Sequence, residues 1–218
     1  MSAQAESAAA VPAAGWSLLY VADPMCSWCY GFAPSLAAAR RRWPKVPLQL
    51  LMGGLRPRGE LLDARLRASI GHHWEQVAAR SGQPFSPAGL AREGWLYTTE
   101  PACRAVVTAR ENWPECAFAL FQAIQIAFYA NGRDTTDPQI LSALATDAGI
   151  EAREAFSERF ASASCVEATR SDFATAQRAG IRGFPTLLAV RDAQTQVVAA
   201  GWLAPAQLLD RLERIFAA

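Results

Sequence analysis

An excess of either charge is missing from this chain: 21 Lys and Arg against 20 Asp and Glu leave a formal charge of +1. A balance so near zero removes the electrostatic case for nucleic acid or an anionic membrane as partner. Lysine is nearly absent, with Lys45 standing alone, so arginine carries the positive charge. The one basic run, Arg40-Arg41-Arg42, falls at the end of an expected helix, where cations oppose the negative end of the dipole. No apolar stretch approaches the roughly 18 residues of a membrane span. Residues 1–15 are Ala-rich, carry Glu6, and lack the basic start and continuous apolar segment of a signal peptide. They read as a disordered leader, and the expected compartment is the cytoplasm.

Cysteine is also sparse. Of five, only Cys26 and Cys29 are close in sequence, while Cys103, Cys116 and Cys165 stand apart. A structural disulfide framework is not expected of such a set in a reducing compartment. A structural zinc site built on CxxC needs a second ligand pair, and the chain has none. What is present is Cys26-Ser27-Trp28-Cys29, directly after the strand-like run Leu18-Leu19-Tyr20-Val21-Ala22. Two cysteines at this spacing, where a strand gives way to a helix, form the pattern of a thiol–disulfide redox site. The first sits at the helix N-terminus, whose unpaired N–H groups and dipole favour a thiolate. The second, one turn on, attacks a mixed disulfide formed at the first. Neither a metal nor an organic cofactor is required.

The rest of the chain falls into three parts. Trp16–Ala22 reads as a buried strand, 26–42 as a helix with Pro34 inside it and expected to kink it, and Val46–Met52 as a second strand closed by Gly53-Gly54. This is a βαβ unit. About 125 mainly helical residues follow. Helices are expected over 65–80, 102–110, 115–130, 138–148, 151–161 and 166–179, with Gly71 delaying the start of the first. Thr136-Asp137-Pro138 reads as a cap followed by a first-turn proline. Phe118, Phe121, Ile124 and Phe128 form one apolar stripe. After Gly180, strands over 186–191 and 196–200 read as a hairpin, and Pro205–Phe216 as a closing amphipathic helix. The order βαβ, helices, ββα is that of a thioredoxin-like α/β fold with a large all-helical insertion. The expected division is 16–54 with 180–218 for the thioredoxin-like domain and 55–179 for the insertion.

Gly183-Phe184-Pro185-Thr186 supports the same reading independently. A proline opening the strand that faces the CxxC is expected in cis, because only an X–Pro bond adopts cis at modest cost. Such a bond turns the backbone of Phe184 towards the redox site, where an extended peptide can pair with it. The alternative is a trans proline at a strand's first residue.

At this point the chain resembles the DsbA-like thiol–disulfide oxidoreductases, in particular a bacterial branch without signal peptides. The resemblance rests on Asp23-Pro24-Met25-Cys26-Ser27-Trp28-Cys29-Tyr30-Gly31-Phe32, on Gly53-Gly54-Leu55, on Thr99-Glu100-Pro101-Ala102-Cys103-Arg104-Ala105, and on Gly183-Phe184-Pro185-Thr186. It covers nearly everything from Leu18 onward. It implies a protein disulfide oxidoreductase or isomerase with Cys26 as nucleophile and Cys29 as resolving thiol. Ser27, Trp28, Phe184, Pro185 and Thr186 then contact cysteine-containing protein or peptide substrates, and glutathione is a further candidate partner. The same family implies two rivals: a glutathione-dependent small-molecule transferase or isomerase, and a non-enzymatic adaptor. An intact cysteine pair argues against the first and leaves the second open.

The chain departs from the family at two places. Many relatives hold a buried acid six residues before the first cysteine, where this chain has Tyr20. Asp23 is nearer and is either a substitute proton acceptor for Cys29 or simply a turn and helix-start residue. Ser-Trp stands between the cysteines where strongly oxidising relatives tend to have Pro-His, so a less oxidising couple is expected. Trp28 either shapes the docking surface or packs against the insertion. His72 and His73, neighbours on a helix, point to different faces. A surface or capping role is expected of them, with one facing the site as the alternative. Cys103 reads as a buried structural thiol before it reads as a second redox centre. Arg104 and Glu100 are candidates for lining the substrate cleft, and Cys116 and Cys165 read as helix-face core residues.

Overall fold

A computed structural model describes residues 15–217, so the leader expected over 1–15 lies, but for Gly15, outside the described residues. The chain opens with β1 (Ser17–Ala22), α1 (Ser27–Arg42) and β2 (Leu48–Met52). β1 and β2 pair in parallel from Leu18 opposite Leu48 to Ala22 opposite Met52. Parallel neighbours need a crossover, and α1 supplies it. Helix α1 runs on through Pro34. A proline there takes the helical donor from the carbonyl four residues back, that of Tyr30. The Gln83 side chain replaces it at 3.2 Å, and Trp202 Nε1 donates to the next carbonyl, Gly31, at 2.9 Å.

The middle of the chain holds β3 (Glu60–Leu61), α2 (Ala64–Ser81), β4 (Leu96–Tyr97), α3 (Glu100–Asn112) and α4 (Pro114–Gln125). It continues with α5 (Pro138–Asp147), α6 (Arg153–Ala161) and α7 (Ala163–Arg178). The delayed start expected for α2 is not seen. Asp63 caps the helix by accepting the Leu66 N–H at 2.7 Å. Such a cap, at about 1 kcal/mol, offsets the cost of Gly71 inside the helix. The segment is mainly helical, with one addition: β3 and β4 pair antiparallel, Glu60 opposite Tyr97. Two-residue strands are too short to show a period in sequence. Helix α4 passes into a π-helical turn over Ile126–Ala130, where the Asn131 N–H reaches back to the Ile126 carbonyl at 3.1 Å. Its apolar stripe is buried at Phe121, Ile124 and Phe128 and half-buried at Phe118.

The chain closes with β5 (Thr186–Arg191), β6 (Gln194–Ala200) and α8 (Pro205–Phe216). The main sheet has the order β2-β1-β5-β6, with β5 antiparallel to both neighbours. Arg191 pairs with Gln194, so the hairpin loop is Asp192-Ala193, and Asp192 takes φ 54°. α8 lies on α1 and β6, with Phe216 packed against Trp16 and Trp43 at ring distances of 5.8 and 5.2 Å.

α3 and α7 lie against β2. Arg110 of α3 makes a bidentate pair with Asp172 of α7, and Asp172 also accepts the Met52 N–H of β2 at 2.9 Å. Helices of the middle segment are thereby tied to the sheet. The buried apolar residues of both parts form one cluster. Among the described residues, no helix is long and apolar enough to cross a membrane.

Candidate active site

Cys26 caps α1, with extended backbone at φ −93° and ψ 116°. Its sulfur accepts the Cys29 N–H at 3.4 Å, one of the first-turn donors that have no helical partner. The Cys26 thiol points across to the Phe184 carbonyl at 3.6 Å. Cys26 is 5% exposed, Cys29 is fully buried, and both are free thiols. The Phe184–Pro185 peptide is cis. Thr186 fastens this turn through its hydroxyl to the Gly183 carbonyl at 2.8 Å, and the Pro185 carbonyl accepts the Gly201 N–H at 2.8 Å. The Phe184 ring lies over Gly53 so closely that a Cβ there would stand 2.1 Å from ring carbons. The glycine pair ending β2 therefore makes room for the loop that faces Cys26.

A cleft of about 410 Å³ opens over Cys26. Cys26, Ser27 and Trp28 form its floor, and Gly183 and Phe184 one edge. Leu55 and Arg56, which follow β2, and Ile70, His73 and Trp74 of α2 form its walls. Half-buried Trp28 meets His73 edge-on at a ring distance of 5.8 Å, so it both lines the cleft and packs against α2. The two histidines divide as their helix positions require: His72 faces out beside Gln76 and Glu75, while His73 borders the cleft.

Asp23 is fully buried behind the cysteines. One carboxylate oxygen accepts the Met25 N–H at 2.8 Å. The other accepts from the Leu55 N–H at 2.7 Å, the Thr99 hydroxyl at 2.6 Å and the Cys103 thiol at 3.3 Å. Burial pushes the Asp23 pKa up from its ordinary 3.8, against the pull of these donors. Asp23 is thus a turn residue and a buried acid at once. Burial is also the main reason that Cys29 is held well above the usual thiol range, with its bond to Cys26 and the Cys26 charge next. The Asp23 backbone N–H acts in the opposite direction, and the Asp23 carboxylate raises Cys29 further. Cys103 is raised in the same way, by burial first and then by Asp23.

Tyr20 is buried and lies against Cys29. Its ring packs on Phe32 and Phe121 at 6.0 and 5.8 Å. Tyr97, from β4, donates its hydroxyl to the Met25 carbonyl at 3.2 Å. Arg104 and Glu100 do not line the cleft over Cys26. They pair with each other at 2.9 Å and border a separate cavity of about 540 Å³ with Arg58, Arg170 and Phe173. Arg104 is held there by the Phe160 carbonyl at 2.8 Å and the Phe160 ring at 4.2 Å. Cys165 is buried on α7 against the Thr108 hydroxyl at 2.9 Å, and Cys116 is buried on α4. Leu55, Arg56, Ile70, Trp74 and Tyr97 line the cleft without having been expected there from sequence. Leu55 belonged to the Gly53-Gly54-Leu55 stretch that carried the family resemblance, whereas nothing local marked the others.

This geometry has counterparts among known proteins. The family model described as the DSBA-like thioredoxin domain matches residues 18–213. A Nitrosomonas europaea structure provisionally assigned as a protein disulfide isomerase shares 36% identity at a TM-score of 0.84, over 91% of this chain and 96% of its own. The cytosolic disulfide reductase DsbM from Pseudomonas aeruginosa shares 29% identity at a TM-score of 0.76, over 91% and 98% of the two chains. DsbM has also been solved with GSH, and that structure covers 93% of this chain and 100% of its own at 28% identity. BdbD from Bacillus subtilis, at 11% identity and a TM-score of 0.64, shares the fold. No curated protein matches the sequence. With its model matched across nearly the whole chain and its redox-type cysteine pair in place, the chain belongs to the DSBA-like thioredoxin domain family.

Proposed function

We propose that the protein is a cytoplasmic thiol–disulfide oxidoreductase that exchanges its Cys26–Cys29 dithiol with disulfides of protein, peptide or glutathione partners. The observation that carries this reading is the placement of Cys26 Sγ. It sits at the start of α1, 3.4 Å from the Cys29 N–H and 3.6 Å from the Phe184 carbonyl, on the floor of an open cleft.

In the reducing direction, the Cys26 thiolate attacks one sulfur of a substrate disulfide. The new Cys26–substrate bond replaces the old S–S bond, and the departing sulfur takes the electron pair and a proton. Cys29 then gives up its proton and attacks Cys26 Sγ, and the second substrate sulfur leaves as a thiol. The substrate gains two electrons and the protein ends as the disulfide. An extended partner segment pairs with the backbone of Phe184 beside Pro185, while Ser27, Trp28 and Thr186 shape its seat. Asp23, beside Cys29, is placed to influence when that thiol ionises. No metal or organic cofactor enters the cycle.

Reduction or isomerisation, rather than net oxidation, is the direction we favour. Two observations support it: the likeness to a cytosolic disulfide reductase, and the absence of a histidine between the cysteines. The GSH-containing structure of that reductase supports glutathione as one partner. Titration of the pair in glutathione buffers, with mass-tagging of free thiols, tests the direction. A potential of roughly −230 to −270 mV is expected, whereas roughly −120 to −180 mV would make the protein an oxidant. Failure to form a disulfide at any poise would remove the redox reading and bring the adaptor reading forward.

A further inference from the structure

Among the buried polar groups without a well-formed hydrogen bond are the Tyr20 hydroxyl, Gln125 Nε2 and the Tyr129 hydroxyl. Such buried donors are uncommon and call for an explanation. Gln125 and Tyr129 follow Phe121 at four-residue spacing, on the helix face that packs against Tyr20. Tyr20 alone of the three lies against Cys29. Its ring is wedged between Phe121 and Phe32, and Phe32 stands one turn beyond Cys29 on the same face of α1. Its hydroxyl faces the Cys29 thiol at the margin of hydrogen-bond geometry.

We propose that Tyr20 is the hydrogen-bond donor that Cys29 uses while it resolves a mixed disulfide. The proposal rests on the exchange chemistry above and adds a group to it. During that step Cys29 Sγ gives its proton to solvent, develops negative charge, and forms its bond to Cys26 Sγ as the Cys26–substrate bond breaks and the substrate sulfur leaves with the electron pair and takes up a proton. A fully buried thiolate is costly, and a charge-assisted hydrogen bond is the strong kind. The Asp23 N–H already faces Cys29, while the Asp23 carboxylate opposes its ionisation. Tyr20 supplies a second donor. Burial keeps its phenol protonated, so it gives a hydrogen bond and does not take the proton. The titratable groups facing this pair are Cys26, Asp23 and, further off, Tyr129. Its neighbours Leu50 on β2, Leu187 on β5 and Phe121 on α4 are apolar.

The test is stopped-flow reaction of the reduced protein with 5,5′-dithiobis(2-nitrobenzoate). Attack by Cys26 releases one thionitrobenzoate in a concentration-dependent phase. Attack by Cys29 on the mixed disulfide releases a second in a concentration-independent phase. Tyr20→Phe, which removes only the hydroxyl, is expected to leave the first phase unchanged. The second should slow about ten-fold, with its rise with pH displaced to higher pH. Tyr129→Phe, the matched deletion, should alter neither. Placing 3,5-difluorotyrosine at position 20, a stronger donor, should speed the second phase. A second phase with the same rate and pH dependence in Tyr20→Phe overturns the proposal, as does a slower one with difluorotyrosine. Absence of a second release in the unaltered protein would instead count against the exchange chemistry itself.

Discussion

A single carboxylate organises the back of the site. Asp23 collects donors from the turn that carries it, from Leu55 beyond β2, and from Thr99 and Cys103 at the start of α3. Because burial raises its pKa, the folded protein keeps the Asp23 proton at a pH where the unfolded chain, titrating near 3.8, has lost it. Its contribution to stability is therefore complete below that value and is lost as pH rises through the folded one. Asp23→Asn does not titrate. Urea unfolding at pH 4 and pH 7 should show wild type losing its advantage over the variant as pH rises, by about 1.4 kcal/mol for each unit by which the pKa is raised. An advantage that grows with pH would count against this reading. The residue type and its nearness to Cys29 were legible in sequence. Its partners were not, because Thr99 and Cys103 lie more than 70 positions away and nothing local joins them to it. Tyr20 was visible only as a departure, since where its hydroxyl points is a fact of packing.

The elements meet at close quarters where β2 ends. Gly53 lies under the Phe184 ring and Gly54, at φ +67°, under the Phe173 ring, 2.7 Å from where a Cβ would fall. Gly53→Ala must displace Phe184, and with it the carbonyl that faces Cys26. We expect a loss of about 1–3 kcal/mol in stability, the usual cost of overpacking. Mixed-disulfide formation at Cys26 should slow as well, measured by chemical denaturation and by the first thionitrobenzoate release. Unchanged kinetics would show that the loop is not positioned by this contact. The strands and helices around this point were well marked in the chain. Apolar runs gave β1, β2 (closed by Gly53-Gly54) and the β5–β6 hairpin, and proline, glycine and asparagine breakers separated the helices. β3 and β4 escaped notice because two residues carry no period. The π-helical turn escaped because Phe128 continues the spacing that an α-helix would show.

At the scale of the whole molecule, the thioredoxin-like part and the helical segment share one apolar core, and the Arg110–Asp172 pair of the helical segment bonds to the Leu50 carbonyl and the Met52 N–H of β2. Asp172 is 7% exposed and depends on Arg110 for its charge partner. Arg110→Met leaves that carboxylate with the Met52 N–H alone, and leaving a buried acceptor short of its partner costs about 1–3 kcal/mol. The urea midpoint should fall accordingly. Tryptophan fluorescence and far-UV circular dichroism should still report one coincident transition, in the variant and in wild type alike. Two separated transitions would mean that the helical segment unfolds independently of the sheet. The order βαβ, helices, ββα already announced the architecture. How the two parts are joined did not show, because nothing local in the sequence marks Arg110 or Asp172 as a link to β2.

The wide turn at Ile126–Ala130 is, in terms of chain length, one residue of slack. Its hydrogen bond spans five positions where an α-helix spans four, and half-exposed Ile126 sits at its start. When relatives are aligned, single-residue insertions and deletions should gather between 125 and 131. They should be scarce in α1, where a shift of one position would turn Cys29 away from Cys26. Length variation at the turn therefore marks which relatives share this packing of Tyr129 against Tyr30, and which have lost it.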